Sequence, residues 1–178
     1  GKIFYPTYQG EEITKIFCGT TPFAPPASTL LERLTYRLPK EHVDSHKQEL
    51  LHSSLELLKS FGQKEFTNEK LLAIGSDSNT GVSTGQGKLM ILIAAILHKQ
   101  YLNKPVLFVI DETLANLDKA TSEKVCSKIK EIFEDSILIS VDHNWESSPS
   151  FYDHNVDLAG YSDSSGLEMK SAHQGDLE

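Results

Sequence analysis

Apolar and polar positions alternate along the chain in blocks that predict a mixed succession of strands and helices. Residues 2–5 and 13–18 are short β-forming runs separated by a turn at Gly10. Thr21-Pro22-Phe23-Ala24-Pro25-Pro26 predicts a loop, because its prolines remove backbone donors and fix φ. Ser28 or Thr29 suits the N-cap of a short helix reaching Tyr36, and Pro39 ends it. Over residues 41–61 the spacing is helical: Leu51, Leu55 and Leu58 recur at i, i+4 and i+7, widened by Leu50, Leu57 and Phe61, with Gly62 at the C-terminal cap. A short apolar run at 71–74 and a polar turn at 75–80 follow. Residues 88–100 are mostly apolar on every side and predict a buried helix.

Residues 106–110 are continuously apolar, the pattern of a parallel strand covered on both faces. Residues 118–134 form an amphipathic helical pattern with Val125, Ile129, Ile132 and Phe133 inward, and 136–141 form a second buried strand. Strand, helix, strand in that order predicts a right-handed parallel crossover. Residues 155–158 and 167–170 predict a terminal hairpin turning through 163–166. The fold class these blocks imply is α/β.

Composition narrows the partners. With 178 residues, 39% of them hydrophobic, the chain is long enough for one domain with a sizeable core. A formal charge of −8 argues against a nucleic-acid groove, which needs a basic stripe. The sequence has no run of 18 or more apolar residues. Cys18 and Cys126 lack metal-ligand spacing and are expected to be buried, reduced thiols. The seven histidines show no metal pattern. His42 and His46 share i, i+4 spacing but lack the intervening glutamate of a zinc helix.

Three segments carry candidate chemistry. Asp111-Glu112 ends the apolar strand, and strand ends in an open α/β sheet face the ligand crevice. An aspartate there can hold Mg²⁺, and a glutamate one residue later can orient or deprotonate an attacking water. The alternative is a solvated acidic strand end; a further acidic residue nearby, Asp118, weighs against it. Ser83-Thr84-Gly85-Gln86 opens the buried helix, where free N–H groups and the helix dipole favour phosphate; the alternative is a plain N-cap by Ser83. His143 follows the second apolar strand, on the same predicted sheet edge as Glu112. A rival phosphate loop, Gly81 to Gly87-Lys88, is one residue too long and has Leu89 where a Mg²⁺-binding hydroxyl belongs.

Together these segments resemble the nucleotide-binding domain of ABC transporters, of the exporter type, over roughly residues 1–170. Val82-Ser83-Thr84-Gly85-Gln86 is similar to the LSGGQ signature, and residues 106–112 to Walker B with its catalytic glutamate. Ala115-Asn116-Leu117-Asp118 resembles the D-loop and His143 the switch histidine. Thr20-Thr21-Pro22-Phe23 resembles the Q-loop, followed by the helical insert. The chain departs from the family pattern in three places. Thr20 stands for the Q-loop glutamine, Thr84 for the first signature glycine, and Ala94 where many members have arginine. No Walker A sequence occurs within the chain, which is expected to start just after it.

The resemblance implies a RecA-like P-loop NTPase core, a parallel sheet with flanking helices, carrying an inserted α-helical subdomain and lacking the N-terminal P-loop strand. Residues 27–100 would be the helical subdomain, 1–26 and 101–170 the core, and 171–178 a flexible tail. It implies ATP and Mg²⁺ as cofactors, with Asp111 on the metal and Glu112 and His143 catalytic. Ser83, Thr84, Gly85, Gln86, Asp118 and Thr20 would contact nucleotide. The implied partners are a second nucleotide-binding domain and a transmembrane domain at the cytoplasmic face of a membrane, with no nucleic acid. The isolated chain is expected to be inactive. Two alternatives stay open: a non-hydrolysing regulatory module of the same fold, and an ATPase lobe of the SMC chromosome-maintenance type.

Overall fold

A computed structural model describes residues 7–19, 28–73, 82–115, 117–142, 151–156 and 169–171. These belong to two compact units, residues 1–142 and 143–178. The first unit opens with a two-residue hairpin, β1 (Thr7–Tyr8) and β2 (Glu11–Glu12). Gln9 and Gly10 turn it with φ of 53° and 82°. Two successive positive φ values are what a tight hairpin needs, and glycine meets that at no steric cost. The predicted strand at 2–5 lies outside the described residues.

Three parallel strands make the main sheet, in the order β3 (Thr14–Cys18), β4 (Val106–Asp111), β5 (Ile137–Val141). Ile16 pairs with Phe108, and Phe108 with Leu138, so the three strands are in one register. Among the described residues between β3 and β4 are five helices: α1 (Leu30–Thr35), α2 (Lys40–Ser45), α3 (Lys47–Ser60), α4 (Asn68–Leu72) and α5 (Thr84–Leu102). Between β4 and β5 lies α6 (Lys119–Ile132).

Local chemistry accounts for most helix ends. Thr29 caps α1 in a capping box with Glu32, and Thr67 caps α4. The helix expected over 41–61 is two helices, broken at His46 with φ −118°. At the break the Ser45 hydroxyl donates to Glu41 O at 2.7 Å and lies 3.1 Å from His42 O, which also accepts from His46 N at 3.0 Å. The stripe on α3 is as expected, with Leu50, Leu51, Leu55, Leu57 and Leu58 buried.

α5 forms the centre of the unit. It packs on α1, α3, α6 and β3, and every residue from Leu89 to Leu97 is buried. Its contacts and those of α6 fall on one side of the sheet. Cys18 Sγ lies 3.9 Å from Ile91 O, and Phe133, just past α6, stacks on Phe108 at 4.3 Å. Ile16, Cys18, Val106, Phe108 and Ile110 are accordingly buried.

The opposite face corrects the expectation of strands covered on both sides. Leu107 and Val109 are half-buried, while Phe17, Ile137, Ile139 and Val141 are 46–54% exposed. The sequence pattern records that both faces are apolar; it does not record which elements cover them. α5 and α6 take the same side. Burial pushes the Cys18 thiol up to about 12, against a smaller opposing pull from Arg37, so it stays protonated at neutral pH.

In the second unit β6 (His154–Val156) pairs antiparallel with β7 (Met169–Ser171), where the sequence predicts a hairpin. Among the described residues no helix is long and apolar enough to cross a membrane.

Candidate functional site

The polar chemistry of the first unit gathers at two places, the C-terminal end of β4 and the N-terminal turn of α5. Asp111 is the last residue of β4 and pairs with Val141 of β5. Glu112 follows with φ 49°, a left-handed conformation that a non-glycine residue holds only when its surroundings impose it. Two main-chain anchors do so here. Glu112 N–H donates to Val141 O at 2.9 Å, and Lys88 Nζ donates to Glu112 O at 3.1 Å. Both carboxylate residues are half-buried.

Next in sequence, Thr113 is fully buried, with its hydroxyl 3.1–3.3 Å from the carbonyl oxygens of Cys18, Gly19 and Asp111. Its one proton serves one of these at a time, so it clasps the ends of β3 and β4 together. Thr113 was absent from the sequence-based candidates, and Lys88 entered only as the lysine of the rival phosphate loop. Nothing in the local pattern marks these roles, because the partners lie 24 and up to 95 residues away.

The turn before α5 is built differently. Ser83 is the N-cap with φ −70° and ψ 163°, and its Oγ accepts from Gln86 N at 3.2 Å. Gln86 Oε1 accepts in return from Ser83 N at 3.0 Å, completing a capping box. The Gln86 amide also donates to Gln63 Oε1 at 3.0 Å and to Glu65, fastening the turn to the segment between α3 and α4. Ser83 and Thr84 are exposed, and Gly85 and Gln86 half-exposed. In an α-helix the N–H groups of Thr84 and Gly85 have no intrahelical acceptor, so this turn retains donors that suit an anion.

Asp118 caps α6, its carboxylate accepting from Thr121 N at 3.0 Å. Hydrogen bonds from the Thr121 side chain and backbone hold its carboxyl below the usual aspartate value. Thr20, His143 and Asn116 lie outside the described residues. Ser83, the N-cap, and Lys88 are five residues apart along α5, about 7.5 Å of helix rise, and Lys88 reaches the β4 loop. In the rival phosphate-loop reading Lys88 would face a phosphate; the residue is instead buried, with its ammonium turned onto a main-chain carbonyl.

Among the described residues no cluster of three or more metal-ligating side chains occurs. Mg²⁺ keeps several waters and takes one or two carboxylates alongside substrate phosphates. Asp111, a hard oxygen donor at a strand end, is a suitable single ligand.

The sequence is 33% identical, over 106 residues and 59% of the chain, to the ABC transporter gloK of Glarea lozoyensis (strain ATCC 20868 / MF5171). The chain spans 8% of that relative's length. A solved structure of a metal-chelate type ABC transporter in an inward-facing conformation superposes with a TM-score of 0.56 at 15% identity, covering 91% of this chain and 59% of that one. The fold is that of an ABC transporter ATPase domain. No family model matches the chain. In this chain the β4 end and the turn before α5 lie on separate elements, a strand of the parallel sheet and a helix.

Proposed function

We propose that this chain is part of the ATP-binding and ATP-hydrolysing domain that powers an ABC transporter. The observation that carries the reading is the β4 end: adjacent carboxylates leave an apolar parallel strand on a loop whose backbone is anchored from both sides. The similarity to an ABC transporter in sequence and fold supports it. Asp111 would take Mg²⁺ and Glu112 would act as the base toward the attacking water, with His143 at the γ-phosphate. Thr20 would contact nucleotide.

Ser83, Thr84, Gly85 and Gln86 would serve a nucleotide held chiefly by a second, facing nucleotide-binding domain, with Asp118 near the junction. A transmembrane domain at the cytoplasmic face of a membrane would receive the work, through the helical layer at 27–100. The core of the domain would comprise 1–26 and 101–170. A non-hydrolysing module of the same fold is the second reading. The departures at Thr20 and Thr84, where the family has glutamine and glycine, favour it.

The test is Glu112→Gln in the full-length protein. The amide keeps the shape and loses the base, so turnover should fall by about 10²–10⁴-fold while ATP binding persists and ATP-bound dimers accumulate. Turnover at the parental rate would reject Glu112 as the base.

A further inference from the structure

Lys88 enters the proposed function at no point, yet it is one of the most deeply placed cations of the chain. It is 6% exposed and sits on the side of α5 that faces the sheet end. An ammonium taken out of water needs an acceptor. Among the described residues it reaches the carbonyl of Glu112, at 3.1 Å. The N–H of the same residue is held by Val141 O at 2.9 Å. The two peptide groups flanking the Glu112 Cα are thus fixed from opposite elements, one by β5 and one by α5. With φ and the following carbonyl both held, the direction of the Cα–Cβ bond is set, and with it the space the carboxylate can sweep.

We propose that Lys88 is a positioning residue for Glu112: it holds the loop after β4 in the left-handed turn that presents the carboxylate to the water attacking ATP. The inference rests on the reading of Glu112 as base. It also ties two regions that the fold keeps apart. Lys88 and Ser83 ride on one rigid helix, so a displacement of α5 that accompanies engagement of the Ser83 turn is carried to the backbone of the chain's own Glu112.

The experiment compares Lys88→Met, Lys88→Arg and Glu112→Gln in the full-length protein, by ATP turnover and by amide hydrogen exchange of peptides covering 111–118. Methionine keeps the stem and loses the donor. Lys88→Met should lower kcat by about tenfold or more with KM for ATP unchanged within about twofold, the pattern of a lost transition-state arrangement. Exchange over 111–118 should quicken by about tenfold, with the middle of α6 unaffected. Lys88→Arg, which can still donate to the carbonyl, should recover most of kcat. In a Glu112→Gln background Lys88→Met should cost nothing further, because both act through one group.

Should Lys88→Met fail to fold, Lys88→Gln, too short to reach the carbonyl, carries the same expectations. Parental kcat and parental exchange in either variant overturn the proposal, as does a raised KM with kcat intact. If instead Glu112→Gln turns over at the parental rate, the reading of the base falls, and the positioning role falls with it. An inactive Glu112→Gln beside a fully active Lys88→Met rejects Lys88 alone.

Discussion

The turn before α5 and the loop after β4 both place polar groups at the end of an apolar element, but they are held in opposite ways. The α5 turn is self-contained: Ser83 and Gln86 satisfy each other three residues apart, and the turn is exposed. The β4 loop is held from a distance, by Val141, Lys88 and Thr113, and is half-buried with a strained φ at Glu112. A self-satisfied, exposed turn can meet a ligand without rearranging its own chain, whereas a strained loop braced by its surroundings suits a group that must keep one geometry. The difference is the physical basis for assigning recognition to the first and chemistry to the second.

The largest effect that would break this division concerns the 178-residue chain by itself. The two regions are expected not to close on a single nucleotide, and the chain contains no GxxxxGK[ST] to wrap a phosphate. It should show no ATP turnover and bind ATP no better than roughly millimolar, about 4 kcal/mol. Micromolar affinity by calorimetry with Mg²⁺ would mean that one chain makes a whole site.

Ser83→Asp in the full-length protein sharpens the comparison. Aspartate caps a helix as well as serine does, so thermal stability should hold. A carboxylate at the phosphate position repels the ligand, so turnover should fall by about tenfold or more. Unchanged turnover would leave Ser83 as a cap and nothing else. Ser83→Ala has the smaller, complementary outcome: loss of the cap should lower stability by about 1 kcal/mol, read by denaturant titration.

The same contrast explains what was legible in the sequence. The Ser83 cap, the Thr29-Glu32 box and the Gly10 turn are short-range chemistry, written within a few residues. The strand ending at Asp111 announced itself by its apolar run. What escaped the pattern is long-range. Lys88 reads as the lysine of a rival phosphate loop until the helix is laid against β4, and Thr113 carries no signal until β3 arrives beside it. The break at His46 was missed because it is a single residue that leaves the apolar periodicity of the following helix intact. The open sheet face was missed because apolar runs look alike whether one side is covered or two.

The smallest effect belongs to Asp118, which caps α6 from the far end of the β4 loop. Its folded pKa is held below the ordinary 3.8 by Thr121, first through the side chain and then the backbone. Because the folded value is the lower one, the charged cap stabilises above about pH 3.8 and that contribution disappears as pH falls through the folded pKa. Asp118→Ala should therefore lower the melting temperature more at pH 7 than at pH 3. An equal drop at both would show that the charge contributes nothing.

The central claim, that the Ser83 turn and Glu112 of one chain serve different nucleotides, is tested most directly by ATP turnover in defined pairs of full-length subunits. In one pair Glu112→Gln sits in one subunit and Ser83→Asp in the other. In the second pair both changes sit in one subunit beside an unaltered partner. If each site combines Glu112 of one subunit with Ser83 of the other, the first pair keeps one intact site and the second keeps none, so the first should turn over faster. A faster second pair would put both residues in the same site and contradict the account.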